Sequence, residues 1–306
     1  MTLQAKIVFW GEPIGALHIL HNVPQVILCG LITNHARGVG DRRLRSSLKA
    51  NKITIPRWSK RDLNSPDTLD QISNLKPDLH VAAFYSDLIP SSLLSDTSGI
   101  GVHPSDLPRW RGDDPAYWTI RSGERESACC VHLLDDTFNG GPVLRRKKLT
   151  VGARESGGAF TSRLEKICLQ LLSETLQSIF TSPRGLQSEL NSALPQEGQV
   201  SWAPLIAPDE LEIDWSRSNA EVDAFIRAAA PYPCAFTGLG RELLVVHRGR
   251  PVDMPQHPVI PYGQALVVDQ RCLIQCGDGY YELLEITAGR RRMKGRELAL
   301  LLGGKS

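Results

Sequence analysis

The chain has 306 residues, 42% of them hydrophobic and 22% charged, with a formal net charge of +2 at pH 7. That composition is ordinary for a folded globular protein; the charge is too small to imply nucleic-acid binding by itself, and the length predicts two domains. Seven scattered cysteines with no CxxC pair point to reduced thiols in a cytoplasmic protein and to no metal site.

No apolar run is long enough to span a bilayer. The first residues run straight into a strand-like stretch, so no signal peptide is expected. Lys6-Ile7-Val8-Phe9-Trp10-Gly11 is a short apolar run ending in glycine and reads as a first buried parallel strand. Pro13 through Leu20 reads as a helix packing back on it, and Val26 through Thr33 as a second strand. This β-α-β opening predicts a Rossmann-like, doubly wound, mostly parallel sheet. Gly11-Glu12-Pro13-Ile14-Gly15 is not a GxGxxG fingerprint, which argues against a nicotinamide site.

Residues 35–49 are basic and interrupted by glycine, with Arg37, Arg42, Arg43 and Arg45. They read either as a solvated loop leading into a helix or as a loop that contacts phosphate. Ile53-Thr54-Ile55-Pro56 reads as a short edge strand, Leu69 to Leu75 as a helix, and Asp78 to Tyr85 as a central strand.

Beyond that strand, the stretch Gly101-Val102-His103-Pro104-Ser105-Asp106-Leu107-Pro108-Arg109-Trp110-Arg111-Gly112 holds a histidine, a hydroxyl, a carboxylate and two arginines. A histidine just past a strand's carboxyl end sits where open α/β sheets bind ligands. Asp114-Pro115 signals a helix start. Cys129 to Leu134 is another strand, in which His132 reads as packed or surface rather than catalytic. A second loop, Asp135 to Leu144, contains Asp136, Asn139 and Gly141, and Arg145 to Lys148 reads as an exposed charged edge. From Phe160 to Phe180, Leu164, Ile167, Cys168, Leu171, Leu172, Leu176 and Ile179 share one helical face.

These boundaries predict a first domain over 1–182, a linker over 183–198 rich in polar residues, Pro and Gly, and a second domain over 199–306. Ser218 with Glu221 three residues on fits a capping box. Short strands around Leu243–His247, Gln264–Asp269, Leu273–Cys276 and Tyr280–Ile286 suggest a small β-barrel.

His103, Ser105, Leu107, Pro108, Arg111 and Gly112 match the signature Asn-x-His-x-Ser-Leu-Leu-Pro-x-x-Arg-Gly, so this stretch resembles the folate-dependent formyltransferases. Ile213-Asp214-Trp215 with Ile226-Arg227-Ala228 and Pro231-Tyr232-Pro233 resembles the opening of the OB-like C-terminal domain found in the methionyl-tRNA and nucleotide-sugar members. Three positions depart: the signature's asparagine falls on Gly101, one of its leucines falls on Asp106, and the aspartate of the second loop falls on Asn139. In the family that asparagine and the histidine donate to the oxyanion, while the aspartate orients and charges the histidine.

The resemblance implies 10-formyltetrahydrofolate as formyl donor and an amine as acceptor. It implies catalysis around His103 with Asn139, and with Asp106 or Asp136 as substitute carboxylates. It places Gly101, Ser105, Arg111, Gly112, Asp113 and Asp114 towards the substrate, and Phe84, Tyr85, Leu88, Ile89, Asp135 and Gly141 towards the folate. The acid-rich loops favour a small-molecule amine, and the space left by Gly101 predicts room for a bulkier substrate group. Methionyl-tRNA, reached through the basic loop 35–49, is the alternative acceptor. A different reaction, or an inactive RNA- or folate-binding module on the same scaffold, are the other readings.

Overall fold

A computed structural model describes residues 4–34, 46, 48–240, 242–253 and 259–303. It divides into two compact units. One comprises Met1–Asp113, Ala128–Leu149 and Leu164–Trp202; the other comprises Asp114–Ser127, Thr150–Arg163 and Ala203–Ser306.

The first unit is built on a seven-stranded sheet. Its strands are β1 (Ala5–Gly11), β2 (Val26–Thr33), β3 (Arg57–Ser59), β4 (Leu79–Ala83), β5 (Gly99–His103), β7 (Glu126–Leu133) and β8 (Val143–Thr150), with the two-residue β6 (Arg111–Gly112) outside it. The order is β3-β2-β1-β4-β5-β7-β8. The pairs from β3 through β5 are parallel, and β7 runs antiparallel to β5. Near-continuous apolar runs form these strands because both faces of a parallel sheet are covered. β4 is buried at all five positions, and so is β5.

The expected edge strand lies slightly later than its sequence suggests. Pro56 has no N–H for a ladder, so pairing to β2 starts at Arg57, after the Pro56 carbonyl has accepted from the Leu31 amide at 3.1 Å. Val8, Trp10, Ile32, Ile72, Ala82, Ile89 and Leu93 form one buried cluster in this unit. The Trp10 indole N–H is buried there and donates to His80 Nδ1 at 3.1 Å. Burial pushes His80 down to about 4, so it stays a neutral acceptor. The long helix runs Gly157–Thr181, and its predicted apolar face is buried at Leu164, Cys168, Leu171, Leu172, Leu176 and Ile179. Residues 183–198 lie within the first unit and include a short helix, Leu186–Leu190.

The second unit carries a six-stranded antiparallel sheet. A five-strand path in it comprises Ala235–Leu239, Glu242–Val252, Gly279–Ala288, Arg271–Cys276 and Ala265–Val268 in spatial order; Arg291–Lys294 also pairs with Gly279–Ala288. The helix Asn219–Ala229 is capped as its sequence predicts: Ser218 accepts from the Glu221 amide, and Glu221 reaches back to the Ser218 amide at 3.0 Å. From that helix Asp223, almost fully buried, accepts from Arg227 at 2.7 Å, Arg154 at 2.8 Å and the Tyr281 hydroxyl at 3.2 Å. A buried carboxylate needs such a set of donors. Among the described residues, no helix is long and apolar enough to cross a membrane.

Candidate active site

The parallel strands β1, β4 and β5 end together, and their carboxyl ends are where this sheet type binds ligands. β1 and β4 meet closely: a side chain on Gly11 (φ +123°) would strike the Ala83 carbonyl, which instead accepts from the Glu12 amide at 3.2 Å. His103 is the last residue of β5 and is buried. The turn beyond it is fastened from within, since the buried Ser105 hydroxyl donates to the Arg109 carbonyl at 2.6 Å. Trp110 takes a left-handed conformation (φ 56°) and donates its amide to the Ser201 hydroxyl at 2.9 Å.

That turn brings the Trp110 carbonyl back to His103, 2.8 Å from Nε2. A carbonyl only accepts, so in the neutral ring the proton sits on Nε2 and the lone pair on Nδ1. Burial is the main cause that pushes the imidazole down to about 3. The Trp110 carbonyl pulls the other way, and neighbouring His132 and Arg111 add to the depression. His103 is therefore a neutral imidazole at neutral pH.

The residue that sequence reasoning set aside, His132, lies across the sheet from Gly101. In the antiparallel β5/β7 ladder Gly101 faces His132 and His103 faces Cys130. His132 is buried, and its Nδ1 donates to the Leu133 carbonyl at 2.7 Å, which leaves the lone pair on Nε2. Burial holds its pKa below the ordinary histidine value; the Leu133 carbonyl and the Asp135 charge oppose this and Arg111 adds to it. The ring lies over Gly101. A Cβ on Gly101 would be 3.3 Å from His132 Nε2 and 2.9 Å from Leu134 Cδ2. The room expected over Gly101 is thus already filled, by a histidine and a leucine of this chain.

A second network fixes the loop after β6. Arg111 donates from Nη2 (2.7 Å) and Nε (3.2 Å) to the Gln196 side-chain carbonyl. The Gln196 amide in turn donates to the carbonyls of Asn139 and Gly141, each at 2.8 Å. Asn139, left-handed at φ 52°, accepts the Gly112 amide on Oδ1 at 3.0 Å. Gly112 itself sits at φ +119°, and Gly141 lies so close to the Leu133 carbonyl that a Cβ would be 2.0 Å from it. Gln196 was invisible to sequence reasoning because it lies 85 residues from Arg111, in the stretch that reads as a linker.

The carboxylates are placed differently from Asn139. Asp106 is bound by Arg146, which also donates to the Leu107 carbonyl at 2.8 Å. Asp136 is exposed and contacts the Thr137 hydroxyl at 3.4 Å, while Asp135 accepts the Thr137 amide at 2.9 Å. Among the described residues no carboxylate is hydrogen-bonded to His103. Asp113 lies at the surface, its carboxyl raised by partial desolvation, with Lys60 lowering it and Asp87 raising it further. Asp114 belongs to the second unit and stands at the start of the helix Pro115–Arg121, without a side-chain capping bond to it.

Past β4, Phe84 is left-handed (φ 56°) and its carbonyl accepts from Asn34 at 2.7 Å. Tyr85 packs edge-on against Trp10 with ring centroids 5.5 Å apart. Its hydroxyl is buried with no hydrogen-bond partner among the described residues, and burial raises its pKa. Ile89 belongs to the core cluster, whereas Leu88 is 44% exposed and Phe84 half-buried. Arg37, Arg42, Arg43 and Arg45 lie outside the described residues.

Comparison with known proteins agrees with this architecture. Residues 18–176 match the formyl transferase family and residues 205–300 match the formyl transferase C-terminal domain. A methionyl-tRNA formyltransferase of Cereibacter sphaeroides is 30% identical over 304 residues, 95% of this chain and 94% of that protein. One from Alkaliphilus oremlandii is 27% identical over 95% of each. Among solved structures, the N-formyltransferase from Helicobacter canadensis, in complex with folinic acid and dTDP-3-aminofucose, superposes with a TM-score of 0.64 at 12% identity and covers 95% of this chain and 100% of that one. HypX from Aquifex aeolicus, in complex with tetrahydrofolic acid, gives a TM-score of 0.57 at 15% identity. It covers 98% of this chain, which spans 48% of the HypX chain. At those identities the structures establish the fold alone. The match over both domains and the full-length relatives together place this chain in the formyl transferase family.

Proposed function

We propose that the chain is a folate-dependent N-formyltransferase that moves a formyl group from 10-formyltetrahydrofolate to the amine of a small molecule. The observation that carries this is His103, a buried neutral imidazole at the carboxyl end of β5, fixed by the Trp110 carbonyl beside the charge of Arg111. Formyl transfer needs positive potential where the carbonyl oxygen gains negative charge. Arg111, anchored by Gln196, supplies that potential here. Asn139 serves as the holder of the Gly112 amide, shaping the loop beside His103 without supplying charge.

The residues past β4 suit a pterin. Phe84 and Leu88 offer apolar surface, and the buried Tyr85 hydroxyl has no hydrogen-bond partner among the described residues. Bound there, 10-formyltetrahydrofolate supplies the formyl group. The solved relatives in complex with tetrahydrofolic acid and folinic acid support this donor. The relative in complex with an amino sugar nucleotide supports a small amine acceptor. Asp113, whose carboxyl is raised in part by the nearby Asp87, suits an acceptor that arrives as an ammonium.

A second reading, methionyl-tRNA as acceptor, is favoured by the 27% and 30% identities to methionyl-tRNA formyltransferases over 95% of this chain. Release of tetrahydrofolate in a single turnover, measured with methionyl-tRNA and separately with amino sugar nucleotides and other small amines, decides between them. Release with small amines alone supports the first reading, and release with methionyl-tRNA alone supports the second. No release with any acceptor refutes both.

A further inference from the structure

We propose that His132 is the group that accepts the amine proton during this transfer, with Gly101 kept free of a side chain to seat it. The inference rests on the formyl-transfer reading and adds to it a residue outside the matched signature. Three observations point to it. Gly101 and His103 are two apart on β5, so they share one face of the sheet, and His132 faces Gly101 across the ladder. His132 Nε2 and Cε1 lie 3.3 and 3.6 Å from where a Gly101 Cβ would be. Nδ1 is committed to the Leu133 carbonyl at 2.7 Å, so Nε2 carries the ring's lone pair.

The surroundings keep this nitrogen available. Arg111 and His103 are the groups beside it that disfavour a second positive charge, and Asp135 opposes them. His132 is therefore neutral in the range where an amine acceptor is partly deprotonated. A weak base is enough, because the acceptor's N–H becomes acidic once its nitrogen has bonded to the formyl carbon. The acceptor nitrogen forms the new C–N bond, and its proton passes to His132 Nε2. The bond from that carbon to the donor's N10 then breaks, and the proton passes from Nε2 to N10. The imidazole returns to its starting state, and the products are the formamide and tetrahydrofolate.

Two measurements test this. In the free protein, nitrogen-15 NMR of labelled histidines at pH 7 should show His132 unprotonated at Nε2 and protonated at Nδ1; a proton on Nε2 would overturn the proposal, since that nitrogen could then only donate. In single turnovers, His132→Gln should lose about 10²- to 10⁴-fold in rate while donor affinity and melting temperature stay near wild type. His132→Gly should recover rate with added imidazoles, more with the more basic ones, an order that a purely structural role would not produce. An active wild type with His132→Gln at full rate overturns the role of His132 and leaves formyl transfer standing. A wild type silent with every acceptor overturns both.

Discussion

Replacing Gly101 with asparagine puts a side chain where the structure has none to spare. Its Cβ alone would lie 2.9 Å from Leu134 Cδ2 and 3.3 Å from His132 Nε2, before any of the remaining atoms are placed. Overpacking of this kind costs about 1–3 kcal/mol. Removing a strand glycine returns about 0.5–1 kcal/mol through the unfolded chain. The net loss is about 0.5–2 kcal/mol, which for a protein of this size lowers the melting temperature by about 1–8 °C. The cost comes from His132 and Leu134, so a His132→Ala background should relieve part of it, with a coupling of about 0.5–3 kcal/mol. Thermal unfolding of the wild type, both single variants and the double variant measures that cycle. If Gly101→Asn melts like wild type, or if the two changes simply add, then His132 does not fill the space over Gly101.

Acid should destabilise the fold through its buried histidines. His80 and His103 bind protons near pH 6.5 when unfolded, but only near pH 4 and pH 3 when folded. The unfolded chain therefore holds more protons in this window. Their contribution is fully present above about pH 6.5 and is lost as pH falls, by up to about 1.4 kcal/mol per pH unit for each ring; denaturant melts from pH 7 to pH 4 would show the slope, and His103→Gln should flatten it. Asn139→Asp keeps an acceptor for the Gly112 amide but adds a negative charge, which should raise the His103 pKa from about 3; an unchanged NMR titration would contradict the placement. Gln196→Ala strips the acceptor from Arg111 and the donor from two carbonyls. It should cost about 1–2 kcal/mol at this half-buried place and lower formyl transfer, as denaturant unfolding and single-turnover rates would show.

Much of this could be read from residues near one another in the chain. The apolar runs of β1, β2, β4 and β5, the face of Gly157–Thr181 and the Ser218–Glu221 cap all follow local rules and are present in the structure. Four of the C-terminal strands lie where alternation and turns put them, although one extends to Glu242–Val252. Pro56 shifted an edge strand by removing an amide that pattern alone does not notice. The site was harder to read because its contacts are distant in sequence. Gln196 reaches Arg111 and Asn139 across 85 and 57 residues. His132 meets Gly101 only through the β5/β7 register. The cluster of aspartates was conspicuous in the sequence, yet Asp106 is taken by Arg146, a residue that read as part of a charged edge.

The central claim is that this site moves a formyl group to an amine. The most direct test uses 10-formyltetrahydrofolate labelled with carbon-13 at the formyl carbon, mixed with excess protein and a pool of primary amines that includes amino sugar nucleotides and methionyl-tRNA. Mass spectrometry of the acceptors should find the labelled carbon bound to one acceptor's nitrogen, with tetrahydrofolate formed in equal amount. Label that stays on the folate, or appears only as free formate, would contradict the claim.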